Sequence, residues 1–169
     1  MKRIVTLITI TAFLTLNTYA QNFFFIGENN YPVTEMCTLQ SNSDTSSSYI
    51  NNLNVLFGKS GDVGVIIVST KTVSTVRISG KLLIYLDDGS VISCLDKGVK
   101  DNVDDIASTA YHLTNADLSK LKNSNINTIR YEVKCAECLS NPLVEGNYSA
   151  SNKGNTKVDF PTILTDFFK

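Results

Sequence analysis

The chain carries one histidine and no tryptophan, and its 15 basic residues are balanced by 16 acidic ones. A lone histidine excludes the paired-histidine zinc motifs. The charge balance argues against nucleic acid or an anionic membrane as partner, because both attract concentrated positive charge. Beyond residue 20 no apolar run approaches the roughly 20 residues that a membrane helix needs. No G-x-S-x-G turn presents a nucleophile. No glycine loop cradles a phosphate either: Gly58, Gly61 and Gly64 are spaced as turn residues, without the Lys-Ser/Thr of a P-loop. The aspartates of DKGVKDNVDD (Asp96, Asp101, Asp104 and Asp105) miss the calcium-loop spacing and are diluted by Lys97 and Lys100. That segment reads as a solvated acidic loop.

What is present begins with an address. Lys2 and Arg3 precede an apolar run from Ile4 to Leu16, and Thr18-Tyr19-Ala20 places small residues where a signal peptidase reads them. Residues 1–20 are therefore expected to be a signal peptide, cleaved after Ala20 to leave Gln21 at the mature N-terminus. No cysteine follows that site, so a lipoprotein signal is not indicated. The expected location is periplasmic or secreted. Without Lys2 and Arg3 the formal charge becomes −3, and residues 21–169 are long enough for one domain with its own core.

The strongest local signal is a hairpin, Lys81 to Asp87 and Ser90 to Leu95 around Asp88-Gly89. A type I′ turn there would set Leu86 opposite Val91, Tyr85 opposite Ile92 and Leu83 opposite Cys94. Leu82, Ile84 and Leu86 share one face and Leu83 and Tyr85 the other, so the hairpin is expected at the centre of a sheet. VGVIIV (63–68), apolar on both faces, is its expected neighbour, with further strands at 53–57 and 73–78. Ala107 to His112 reads as a strand entering a helix over 114–122. Thr114 and Asp117 supply its capping box, and Leu113 and Leu118 a hydrophobic staple. Ile126 to Val133 alternates as a half-buried strand. Phe160, Ile163, Leu164, Phe167 and Phe168 form the apolar stripe of a last helix, capped by Asp159 with Pro161 in its first turn. Segments 40–52 and 141–157 read as loops. The expectation is a single α+β domain: an antiparallel or mixed sheet around the 81–95 hairpin, with two short packing helices.

Four strings carry a resemblance: FFFIGENNYP, LLIYLDDGSVISCLDKGV, YHLTNADLSKLKNSNINTIRYEV and DFPTILTDFF. Together they resemble small exported proteins of Gram-negative bacteria of the flavobacterial kind. The likeness implies fold and location alone, because the group carries no assigned activity and no residue role can be transferred from it.

Chemistry has few candidates. Cys135 and Cys138 form a CxxC, expected as a small structural disulfide in an oxidising compartment. The same pair could exchange disulfides, although Leu139-Ser140-Asn141-Pro142 is not the helix opening that would stabilise a thiolate. A zinc site would need Cys37 and Cys94 as well. Those two could instead bridge each other or be small buried hydrophobes. His112, at the end of a strand, reads as structural. No catalytic residue, metal or cofactor is assigned. The chain is thus expected to be a non-enzymatic module that binds a protein, glycan or small ligand, with a thiol-disulfide oxidoreductase using Cys135 and Cys138 as the alternative.

Overall fold

The computed structural model describes residues 22–42, 50, 52–73, 75–136, 144–154 and 157–169. It overturns the α+β expectation: strands take 59% of the described residues and helices 13%, an all-β-like fold. The strands are β1 (Asn22–Ile26), β2 (Asn29–Val33), β3 (Cys37–Ser41), β4 (Leu53–Ser60), β5 (Val63–Lys71) and β6 (Val76–Leu86). They continue as β7 (Val91–Cys94), β8 (Lys100–Val103), β9 (Ile106–Leu113), β10 (Ile126–Cys135) and β11 (Gly146–Ser151). Two helices, α1 (Asn115–Asn123) and α2 (Phe160–Phe167), complete the set.

All eleven strands join one antiparallel sheet, ordered β7-β6-β10-β11-β3-β4-β5-β9-β8, with the β1–β2 hairpin attached to β4 through Val33 and Gly58. The sheet folds over on itself. Its two halves join at β11–β3 and meet again where β6 crosses β8 and β9. Side chains close that second meeting: Thr109 Oγ1 donates to the Ile78 carbonyl at 2.8 Å, and Asn102 Nδ2 to the Val76 carbonyl at 2.6 Å. Between the halves lies the main core, which includes Phe57, Tyr111 and Tyr131 and takes Leu121 from α1 and Phe160 and Leu164 from α2.

A second, smaller core explains VGVIIV. Ile66 and Val68 face the main core, whereas Val65 and Ile67 join Ile26, Tyr31, Val33, Leu56 and Ala110 beneath the β1–β2 hairpin. β5 is therefore buried on both faces. Its neighbours are β4 and β9, not the 81–95 hairpin.

That hairpin is real but terminal: β7 is the last strand of its half of the sheet, and the half-buried Leu83 and Tyr85 have no covering layer comparable to the core. Its register is also shifted by one, with Leu82 opposite Cys94, Ile84 opposite Ile92 and Tyr85 opposite Val91. Gly89 N–H donates to the Leu86 carbonyl and Leu86 N–H to the Ser90 carbonyl. Only Gly89 of the turn has positive φ, at 83°. This is a three-residue loop, a type I turn followed by a left-handed glycine, rather than a type I′ turn. The hydrophobic pattern explains the choice: the shift places Ile92 and Cys94 on the buried face with Leu82 and Ile84, where the other register would turn them outward.

Three further readings are corrected. The strand expected at 73–78 and the first arm of the 81–95 hairpin share one strand, β6, which starts at Val76, ends at Leu86 and bends at Gly80, where φ is +71° and the register with β10 shifts. The acidic loop contains β8, and Asp104 and Asp105, both at positive φ, make the tight turn into β9. The loop over 141–157 contains β11. β8 and β11 form without an alternating apolar signal, because their ladders are completed by the strands beside them, β9 for β8 and β10 and β3 for β11.

Local chemistry settles the helices. Thr114 and Asp117 bond reciprocally at the start of α1, and Lys120 and Lys122 occupy its last turn. Asp159 accepts from Thr162 N–H to cap α2. Asn125 positions α2, accepting from Phe160 N–H at 3.2 Å and donating to the Val158 carbonyl at 2.9 Å. Buried Asn152 ties the same segment to β10 through Ile126.

Candidate functional site

The residues with reactive side chains are scattered by this fold. Cys94 is buried on β7, and burial, reinforced by the Asp117 carboxylate, pushes its thiol up to about 12. Cys37, half-buried on β3, is also raised, by burial first and Glu35 second. Both are free thiols. Thiols held protonated in this way are weak nucleophiles and weak metal ligands at neutral pH. Cys135 ends β10, and its backbone N–H donates to Glu145 Oε1 at 2.7 Å. Cys138 lies outside the described residues, and with it the expected pairing.

His112 sits half-buried on β9 opposite Val65, its neighbour Tyr111 turned into the core. No hydrogen bond joins the ring to a serine or carboxylate among the described residues. The Tyr111 hydroxyl is buried without a partner among those residues, and its pKa is raised by burial and then by Asp96.

The aspartates are engaged in holding the fold. Asp96 Oδ2 accepts from Lys100 Nζ at 2.8 Å and from Gly80 N–H at 3.2 Å, while Oδ1 takes Gly98 N–H at 2.7 Å. Burial alone would raise its pKa, but these bonds and the Lys100 charge hold the carboxyl below the usual range. Asp101 Oδ2 accepts from Gly27 N–H at 3.0 Å and so ties the β1–β2 turn to β8. Asp87 pairs with Lys157 at 2.8 Å and accepts from Asn127. Asp104 and Asp105 shape a turn. Among the described residues no three His, Cys, Asp or Glu side chains gather as metal ligands, and no helix is long and apolar enough to cross a membrane.

The feature that stands out is on the surface. β1, Asn22-Phe23-Phe24-Phe25-Ile26, pairs with β2 along one edge, with Phe23 opposite Pro32 and Phe25 opposite Asn30. Its other edge has no partner among the described strands. Alternation sends Phe24 inward against the second core and turns Phe23 and Phe25 outward, 53% and 68% exposed. Edge strands are normally blunted by lysine, proline or inward charge, and β1 carries none of these. Paired exposed aromatics on an open edge mark a contact surface. The signal was present in the sequence: three consecutive phenylalanines cannot all be buried by a strand covered on one face. Whether β1 lay at an edge depended on topology and could not be read.

The chain matches no family model, no curated protein and no solved structure, so no residue role comes to it from a relative.

Proposed function

We propose that the chain is an exported, non-catalytic interaction module that captures an extended apolar segment of a partner protein along β1. The open β1 edge carries the reading. It offers unpaired backbone N–H and C=O groups to an added strand, and Phe23 and Phe25 give that strand two aromatic anchors on one face. Export rests on Lys2, Arg3 and the apolar run to Leu16. The thiol-disulfide alternative finds less support. Cys135 ends a strand rather than opening the helix whose N-terminus would favour a reactive thiolate.

The experiment is photo-crosslinking in the native cell from a label replacing Phe25, with the same label at exposed Thr165 on α2 as control. A discrete adduct from position 25 alone, lost when Phe23→Asp is added, is the expected result. No adduct, or equal adducts from both positions, overturns the proposal.

A further inference from the structure

Pro32 shows which way the backbone of β1 points. It stands opposite Phe23 in the β1–β2 ladder and has no N–H to give. Its carbonyl is turned the other way, toward β4, 3.0 Å from where a Cβ on Gly58 would stand. Phe23 and Pro32 are therefore a pair without hydrogen bonds, and in an antiparallel ladder such pairs alternate with bonded ones. The two-residue turn at Gly27-Glu28 agrees. Ile26 and Asn29 close it as a bonded pair, so Phe24 and Asn22 bond to β2, whereas Phe25, like Phe23, does not. Phe23 and Phe25 thus direct their N–H and C=O groups along the open edge, where no partner reaches them among the described residues. The residues that expose rings also expose backbone.

We propose that this edge takes a second copy of the chain, β1 against β1, around a two-fold axis at Phe24. The inference rests on the proposed role of β1 and names its partner. In that register Phe23 lies opposite Phe25 of the second copy, and Phe25 opposite Phe23 of the second copy. Both pairs are of the bonded kind, so each exchanges two N–H···O=C bonds. Their rings meet directly across the joint on the outward face, a favourable cross-strand pairing. An isologous contact requires a surface that complements itself, and Phe23-Phe24-Phe25 reads alike in both directions. An unrelated segment would have to supply this match; a second copy has it by construction. Charge does not oppose the pairing. β1 carries none, while Glu28 and Asp101, which is bonded to Gly27, lie at its turn end. The two copies hold these carboxylates at opposite ends of the joint edge. From Glu28 to its equivalent is eight strand residues, roughly 27 Å, well beyond the ~8 Å Debye length at physiological salt. The contact closes at two chains, because β2 occupies the other edge of β1. Five residues a side make a small interface, below about 1,200 Å², so the dimer is weak and depends on concentration.

The test is sedimentation of the exported chain over a broad range of concentration, with circular dichroism showing that each variant is folded. The native chain should pass from monomer to dimer. Phe23→Lys and Phe25→Glu should each weaken self-association about tenfold or more, because each sets an unpaired charge against a ring twice per dimer. Mixed with one another, these two variants should recover most of the native affinity. The register then sets the new ammonium against the new carboxylate and leaves the other ring pair intact. Phe23→Lys mixed with Phe23→Glu brings no such pair together and should recover far less. Dimerisation that is absent from the native chain, undiminished in the single variants, or recovered equally by both mixtures overturns the proposal. Crosslinking from position 25 separates this failure from failure of the β1 reading. An adduct of two copies supports both. A monomeric chain that yields an adduct with another protein keeps the β1 reading and overturns this one, and a monomeric chain with no adduct overturns both.

Discussion

Phe57 and Phe160 meet edge to face with centroids 5.8 Å apart, and both are fully enclosed between the halves of the sheet. Phe23 and Phe25 belong to the same residue type, yet they project from the hairpin that covers the outside of that sheet. The difference is one of layers. The inner aromatics have a second half of the sheet above them, and each contributes on the order of 2–3 kcal/mol through burial. The outer pair has no second layer above it among the described residues and forgoes most of that stabilisation, although Phe24 between them does pack. Aromatic residues inside this molecule hold it together. Those on β1 are free to be used by something else.

That contrast is broken most severely in the core. Phe160→Ala removes the ring that packs on Phe57 and the apolar anchor of α2, a helix of eight residues that cannot persist undocked. The expected cost is about 3–5 kcal/mol, a fall in melting temperature on the order of 10 °C. Thermal unfolding followed by circular dichroism measures it. A loss below about 1 kcal/mol would mean that α2 is not part of the core.

A smaller effect concerns the seam where β6 crosses β8. The Asp96 carboxyl is held below its ordinary value in the folded chain. A depressed folded pKa means that the unfolded state binds more protons, so the contribution is present above the ordinary aspartate pKa of about 3.9 and is lost as pH falls through the folded value. The Asp96–Lys100 pair is mostly but not wholly shielded, with side-chain exposures of 16% and 23%, which sets the stake at about 1 kcal/mol. Denaturant titrations at pH 7 and pH 3 should therefore show Asp96→Asn costing more at pH 7 than at pH 3. An equal cost at both would show that the pair contributes nothing through its charge.

How far the amino-acid order reveals this architecture depends on whether a signal is local. The capping box of Thr114 and Asp117, the Asp159 cap and the alternation from Ile126 to Val133 are complete within a few residues, and each forms as expected. β8 and β11 could not be read, because KDNV and GNYSAS owe their strand state to the neighbours that pair with them. The two turns make the same point. Asp88-Gly89 has the dipeptide of a type I′ turn but yields to the burial of Ile92 and Cys94, while Asp104-Asp105, with a weaker signal, supplies the turn with two positive φ angles. As for the candidate site, FFFI announces an exposed aromatic, but the open edge of β1 follows from which strands pair. No spacing along the chain contains it.

The smallest expected change is the one that separates stability from recognition. Phe25 lies opposite Asn30 on an outward face, more than two-thirds exposed, so Phe25→Ser removes little buried surface. Serine is a poorer strand residue than phenylalanine, but β1 keeps its ladder with β2 and its inward Phe24. The stability change should stay within about 0.5 kcal/mol, as for a surface substitution that touches no packing, and the melting temperature should move by no more than about 2 °C. Capture by an added strand should nevertheless weaken sharply, because an aromatic anchor of the proposed contact is gone. A fall of several degrees with capture unchanged would reverse both halves of the comparison: Phe25 would then serve the fold, and the open edge of β1 would need another explanation.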